Sequence, residues 1–403
     1  MNDRQRDRTT GPLGQFEAGF VARLTAVGFT KQSADVHVAL MRHLGRWLTT
    51  HKLQLDRLSA DQVDRYLADR CKAGYTGHRT TTAMVPLLDY LREIGVVPLP
   101  VATESSTPVD LLLARFRNYL TIERRLALTT VDHYVNAVRP FVAMRSELDG
   151  LGFKALTASD ITMFVTTRCP QQGRGAAKMT VKSLRSLLRF LHVDGVLARS
   201  LVNAVPSVAS WQMAGLPRTL EASEVSALLS SCDQRTTSGR RDFAILTLLA
   251  RLGLRADEVA RLGLDDIDWL SGEIVVTGKG SKAARLPLPS DVGEAVASYL
   301  RRGRPRTALG RTVFVRVNAP HCALTRSGVS DVVLSASQRS GLDAIRAHRL
   351  RHTAATQMLR AGAALPEIGQ VLRHQRARTT AIYAKVNRDA LRSIARPWPG
   401  EFA

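Results

Sequence analysis

The sequence predicts a mainly α-helical chain with one small β-sheet, arranged as two N-terminal helical bundles and a larger mixed block. Three observations carry this. Apolar residues recur at three- and four-residue spacing from about Phe16 to Val97 and again from about Val109 to Val202, the period of amphipathic helices. After Trp211 the texture changes, with β-branched Glu273–Thr277 followed by a glycine-flanked turn. A length of 403 residues exceeds what one hydrophobic core usually serves, so two or three domains are expected.

In chain order, residues 1–14 are polar and read as a disordered lead-in. The first bundle spans 15–100, with Val38, Met41, Leu44 and Leu48 forming one helical stripe. Pro98-Leu-Pro100 and Thr103 to Pro108 read as a linker, and the second bundle spans 108–205. The bundles repeat each other. Leu58-Ser-Ala-Asp-Gln-Val63 matches Leu156-Thr-Ala-Ser-Asp-Ile161, and Tyr66, Arg70 and Cys71 match Phe164, Arg168 and Cys169. Leu87, Leu91 and Gly95 match Leu187, Leu191 and Gly195. A Ser or Thr opening a helix and a glycine closing one recur in the same order, which points to a duplicated helical domain. A linker around Val202 to Pro217 leads to the third block, 218–403. There, Phe243 to Leu252 is an apolar helix stopped by Gly253, and Glu273–Thr277 and Arg285–Leu288 are short strands joined by Gly278-Lys-Gly-Ser281. Helices resume near Asp291, Gly328 and Leu350.

Charge narrows the partners. Lys and Arg number 57 against 35 Asp and Glu, a net +22, and self-repulsion on that scale favours a polyanionic partner. Nucleic acid is the expected one, because neutralised phosphates release counterions; an Arg-rich, GC-rich genome is the bland alternative. A membrane surface is not expected, since no stretch reaches about 18 apolar residues. Met1 to Gly14 lacks the apolar core of a signal peptide. Cys71, Cys169, Cys232 and Cys322 lie far apart without a CxxC pair, which argues against zinc or a disulfide framework and for a reducing cytoplasm.

Breaking a phosphodiester without metal requires cations on the nonbridging oxygens, a nucleophile that leaves a stable covalent link, and an acid for the departing 5′ oxygen. The third block contains each part. Arg255 follows the buried helix, Lys279 sits at a turn tip, and His348, Arg351 and His352 share one helical face at i, i+3 and i+4. His374 precedes Tyr383 by nine residues. Each residue alone has a plainer reading: a solvated arginine or lysine, a packing tyrosine. A zinc site on His348 and His352 lacks both the following Glu and a third ligand.

Together and in this order, Leu254-Arg-Ala-Asp-Glu258, Gly278-Lys-Gly-Ser-Lys282, His348-Arg-Leu-Arg-His-Thr-Ala-Ala-Thr356 and Leu372-Arg-His374 through Tyr383 resemble the tyrosine recombinase family of phage integrases and Xer-type recombinases. The resemblance covers the third block in full and extends to the second, where the family carries a helical core-DNA-binding domain. It implies a tyrosine-recombinase-type catalytic domain that uses no cofactor and no metal. In it Arg255 and Arg351 clamp the scissile phosphate, His348 and His374 complete the cluster, and Lys279 is the general acid. Tyr383 attacks and holds the 3′ phosphate, while Glu258 orients Arg255 from behind. His352 is expected to pack or hydrogen-bond within the domain. The implied partner is double-stranded DNA, held in a clamp by the second and third blocks, with self-assembly to a tetramer on two DNA sites. A short helix at Asn387 to Ile394 would dock either on its own domain or in trans on a neighbouring protomer, as the resemblance implies, the latter through Leu391, Ile394 and the following Trp398. The chain departs from the family at Arg373, where glycine is usual, so Arg373 either reshapes that turn or adds a phosphate contact. The expected activity is site-specific recombination as the integrase or transposase of a mobile element. The alternatives are a type IB topoisomerase-like enzyme and a non-enzymatic DNA-binding regulator, the latter from the helix–turn–helix look of Leu365 to Ala384.

Overall fold

The computed structural model describes residues 11–98, 107–145, 152–208, 219–278, 283–374 and 377–386. In the first bundle a 3₁₀ turn, Gly11–Phe16, runs into α1 (Glu17–Ala26), followed by α2 (Lys31–Thr50), α3 (Ala60–Lys72) and α4 (Thr81–Glu93). Local chemistry starts these helices. Thr30 accepts a hydrogen bond from the Ser33 amide, and Ser59 and Gln62 exchange side-chain and backbone bonds at the head of α3. The α2 stripe of Val38, Met41, Leu44 and Leu48 is buried against Leu13, Phe20, Tyr66, Leu87 and Leu91.

The second bundle uses the same devices. Its helices are α5 (Pro108–Asn118), prolonged by a π turn at Tyr119–Glu123, α6 (Leu128–Arg145), α7 (Ala158–Arg168) and α8 (Arg174–Val193). Thr157 and Asp160 cap α7 as Ser59 and Gln62 cap α3. Phe164 is buried where Tyr66 is, Leu187 and Leu191 where Leu87 and Leu91 are, and Gly95 and Gly195 both turn with positive φ (72° and 77°). Its core is its own, centred on Phe116, Phe141, Phe153 and Leu188.

The third block opens with α9 (Ala222–Ser230) and α10 (Thr237–Leu252). α10 buries every residue from Ala244 to Ala250, the pattern of a helix segment surrounded by protein, and exposes Arg251 near its end. It packs against α12 (Ser290–Arg302), α13 (Arg326–Arg339) and α14 (Ala347–Arg360). Between α11 (Ala256–Arg261) and α12 lies an antiparallel sheet, β1 (Ile267–Asp268), β2 (Glu273–Thr277) and β3 (Ala283–Pro287), in that order. Ile274 pairs with Leu286, and with Val276 these inward residues join the core, as the two-residue period of a half-buried strand requires. Residues 279–282 of the loop from β2 to β3, Lys279 among them, lie outside the described residues. α15 (Leu365–Val371) and α16 (Ala377–Thr380), which leads into a 3₁₀ turn at Ala381–Val386, complete the described chain. The expected tail helix at 387–394 falls beyond it.

By spatial proximity the chain forms two units, Met1–Leu99 with Met213–Ala403, and Pro100–Gln212. Within the first unit, a Cβ added at Gly28 would lie 2.5 Å from His321 and 2.6 Å from Thr307, so the first bundle meets the third block through bare backbone. Among the described residues no helix is long and apolar enough to cross a membrane.

Gly253 ends α10 at φ 57°, and an added Cβ would lie 2.7 Å from Leu372 and 3.3 Å from Ala354. Gly253→Ala combines a left-handed penalty of about 1–2 kcal/mol with this overlap. Urea unfolding should show the third block destabilised by at least about 2 kcal/mol; an unchanged transition would mean that this junction is loosely packed.

Candidate active site

α14 places His348, Arg351 and His352 on one face, because residues three and four apart stack along a helix. Arg351 is 1% exposed. A buried guanidinium must have its N–H groups bonded, and here the acceptors are main-chain carbonyls. Nη1 donates to the Gly253 carbonyl at 2.6 Å and Nη2 donates to the Leu372 carbonyl. The first lies at the end of α10 and the second just past α15. Arg255 and His374 each stand two residues further along the chain from those carbonyls. One side chain thus fixes the spacing of two loops that carry functional groups.

Arg255 heads α11. Its amide donates to Glu258 Oε2 at 2.8 Å and its Nη1 to Glu258 Oε1 at 2.6 Å, while its outer edge remains partly exposed. Glu258 is buried and also accepts from Arg373 Nη2 at 2.8 Å. Burial by itself would raise the Glu258 carboxyl. The Arg255 amide and the charges of Arg373 and Arg255 outweigh it and hold the group below its ordinary range, so it stays ionised.

Arg373 does not reshape the turn that carries it. Its φ is 55°, so the turn keeps the left-handed conformation that glycine supplies. Its guanidinium is engaged by Glu258 and by the Val371 carbonyl at 2.9 Å. The Arg255 guanidinium in turn reaches the Arg373 carbonyl at 3.4 Å.

Tyr383 is 1% exposed and packs with Ala355, Ile368 and Leu372. Its hydroxyl lies 2.9 Å from His352 Nδ1, and the rings meet at 61°. His374 lies parallel to the Tyr383 ring, 6.3 Å between centres, and its Nδ1 is 2.8 Å from Thr380 Oγ1. His348 meets His352 edge-on at 4.4 Å. Burial pushes the Tyr383 phenol up, against the opposing charge of Arg351. Burial, then neighbouring cations, pull His348 down and bring both His352 and His374 to about 4. Burial and Arg255 lower Arg351 to about 10, which leaves it charged at neutral pH. Three guanidinium groups against one carboxylate make the cluster cationic and suited to an anion.

The structure therefore brings together Arg255, Glu258, His348, Arg351, His374 and Tyr383, from four separate stretches of chain. Lys279 lies outside the described residues. Sequence reasoning missed the direct link from His352 to Tyr383 and the pairing of Arg373 with Glu258. No periodicity signals either one; the glycine-type turn at Arg373 was the nearest clue.

Residues 218–389 match the phage integrase family, and residues 113–194 match the phage integrase N-terminal SAM-like domain. A protein of Sinorhizobium fredii (strain NBRC 101917 / NGR234), named as an integrase/recombinase, is 38% identical over 395 residues, covering 97% of this chain and 96% of that one. The tyrosine recombinase XerD of Listeria monocytogenes serotype 4b (strain F2365) is 32% identical over 289 residues, 70% of this chain and 96% of XerD. Among solved structures, the XerH site-specific recombinase bound to palindromic difH substrate, a post-cleavage complex, has a TM-score of 0.57 at 17% identity, over 86% of this chain and 99% of that one. A lambda integrase tetramer bound to a Holliday junction has a TM-score of 0.53 at 16% identity, over 80% and 89%. At these identities the structural likeness speaks for the fold.

The Arg373 turn yields a stability ordering opposite to the usual one. Arg373→Ala removes the bond to Glu258 and keeps the left-handed strain, whereas Arg373→Gly removes both. Chemical denaturation should find the glycine variant about 1 kcal/mol more stable than the alanine variant. An alanine variant equal or superior to glycine would show that residue 373 is not held left-handed.

Proposed function

The chain belongs to the phage integrase family and is a site-specific DNA recombinase of the tyrosine class, and we propose that it serves a mobile element as integrase or transposase through a 3′-phosphotyrosine on Tyr383. The observation that carries this reading is the double tether of Arg351, which gathers Arg255, His374 and Tyr383 around one cationic point. The scissile phosphate sits between Arg255 and Arg351, whose charges stabilise the extra negative charge of the transition state. Glu258 keeps Arg255 in place. Tyr383 attacks phosphorus and the 5′ oxygen leaves, taking a proton from Lys279 in the β2–β3 loop, while His348 and His374 donate to the phosphate oxygens. Rejoining reverses these steps with a 5′ hydroxyl from the partner strand. Side chains supply the nucleophile, the acid and the cationic clamp, so the mechanism we propose calls on no metal or other cofactor.

Duplex DNA is also held by the second bundle. Lys178, Lys182, Arg185 and Arg189 follow one another on one face of α8 beside a surface groove, a spacing suited to successive phosphates. Exchange between two sites calls for four protomers acting together, and a tetramer on two DNA sites is the assembly we propose. The 387–403 segment would dock in trans, and the first bundle would add DNA or protomer contacts. The four cysteines are free thiols, which suits work in the cytoplasm.

Tyr383→Phe should form no covalent complex on a nicked suicide duplex while keeping DNA affinity within a few-fold, and Arg255→Ala should slow cleavage on the order of 100-fold or more. Wild-type cleavage should be indifferent to EDTA. A Phe variant that still becomes DNA-linked, or cleavage that stops without Mg²⁺, would overturn the mechanism.

A further inference from the structure

The hydroxyl of Tyr383 touches a residue that the phosphate clamp does not use. His352 follows Arg351 by one position on α14, and its Nδ1 lies 2.9 Å from Tyr383 Oη. On the premise that Tyr383 is the nucleophile, we propose that His352 is the catalytic base of cleavage, taking the phenolic proton at Nδ1 as Oη attacks the scissile phosphorus. The Tyr383 O–P bond forms and the P–O5′ bond breaks, with its electron pair leaving on the 5′ oxygen, which is protonated by the general acid assigned to Lys279. His352 ends this half-reaction as imidazolium. In rejoining, it returns the proton to the departing tyrosyl oxygen while the attacking 5′ hydroxyl gives its own proton back to the acid. Both groups finish as they began.

The other two histidines are placed differently. His374 directs its Nδ1 to Thr380, and His348 packs its ring edge-on against His352 rather than on the phenol. A base is needed here, because burial keeps the Tyr383 phenol protonated well above neutral pH. The groups facing His352 are His348 and Arg351 from its own helix, and Tyr383 and His374 from the chain packed against it. Burial and the first two keep it neutral at pH 7, able to accept a proton. They also make it a weak base in the free protein. A DNA phosphate seated beside Arg351 offsets that cation, which raises the basicity of His352. Proton removal is thereby tied to occupancy of the site, so the nucleophile is activated only where there is DNA to cut. The cleavage rate should fall as pH drops through the His352 pKa of the DNA complex and be level above it.

The test uses the full chain and a nicked suicide duplex built on the site that the wild-type protein selects from a random-sequence library. His352→Asn puts an amide oxygen close to where Nδ1 stood, so the hydrogen bond survives but proton acceptance does not. Single-turnover formation of the covalent complex should slow about 100-fold or more, with DNA affinity within a few-fold. A fluorinated tyrosine of lower phenol pKa at position 383 should recover most of the lost rate in H352N. A variant within about threefold of wild type, or a faster one, overturns the proposal, since the contact then only stores the phenol. A slow variant that the fluorinated tyrosine does not recover also overturns it, because the contact then only positions the ring. Should H352N fail to fold, the wild-type pH profile decides: a level rate above the histidine range supports the base. A rate rising about tenfold per pH unit toward the phenol range contradicts it. If the wild-type DNA adduct forms on another residue, the underlying reading fails instead, and that outcome is distinguishable from all of these.

Discussion

The site is organised by one constraint, the need to satisfy a buried guanidinium. Arg351 is removed from water, and a buried charge without hydrogen bonds is costly enough to unfold the region around it. Its partners are the carbonyls of Gly253 and Leu372, groups that the ends of α10 and α15 leave unpaired. Helix ends and buried cation therefore satisfy each other. Because carbonyls are dipoles rather than anions, the charge is solvated but not neutralised, and it remains available to a phosphate. A carboxylate in the same position would have spoiled it for that use.

The second arginine is handled differently. Arg255 is partly exposed and is steered by Glu258, which pairs with two arginines at once. Arg373 completes that arrangement at a position whose backbone conformation disfavours any side chain. The strain is offset by a charge-assisted bond to a buried carboxylate, of about 1.5–3 kcal/mol. The Arg255 orientation and the turn that carries His374 are consequently coupled, through Glu258 on one side and the Arg373 carbonyl on the other.

Much of this was legible in the sequence, for reasons that differ by element. Ser59, Thr157, Gly95 and Gly195 mark helix ends because capping is local chemistry, decided within four residues. The α10 and β2 segments announced themselves by a largely apolar run, interrupted by Thr247 and Arg251, and by β-branching. β1 did not, since two residues, Ile267 and Asp268, are too few to show alternation. α14 begins at Ala347, three residues before Leu350, because its first turn mixes the core residues Ala347 and Leu350 with the polar His348 and Arg349 and so shows no apolar period. Glu258 behind Arg255 was an expectation drawn from the family resemblance rather than from any local pattern. The bond from His352 to Tyr383 spans 31 positions and depends on how α14 and the 377–386 segment pack, which no local pattern encodes. The approach of Gly28 to His321 is of the same kind.

All the chemistry converges on a single covalent bond, and identifying its two ends is the most direct test. The full-length protein would be trapped on a nicked duplex, digested, and the DNA-linked peptide sequenced by mass spectrometry. The account predicts that the DNA 3′ phosphate is carried on the phenolic oxygen of Tyr383. An adduct on any other residue, or attachment through a 5′ phosphate, would contradict it.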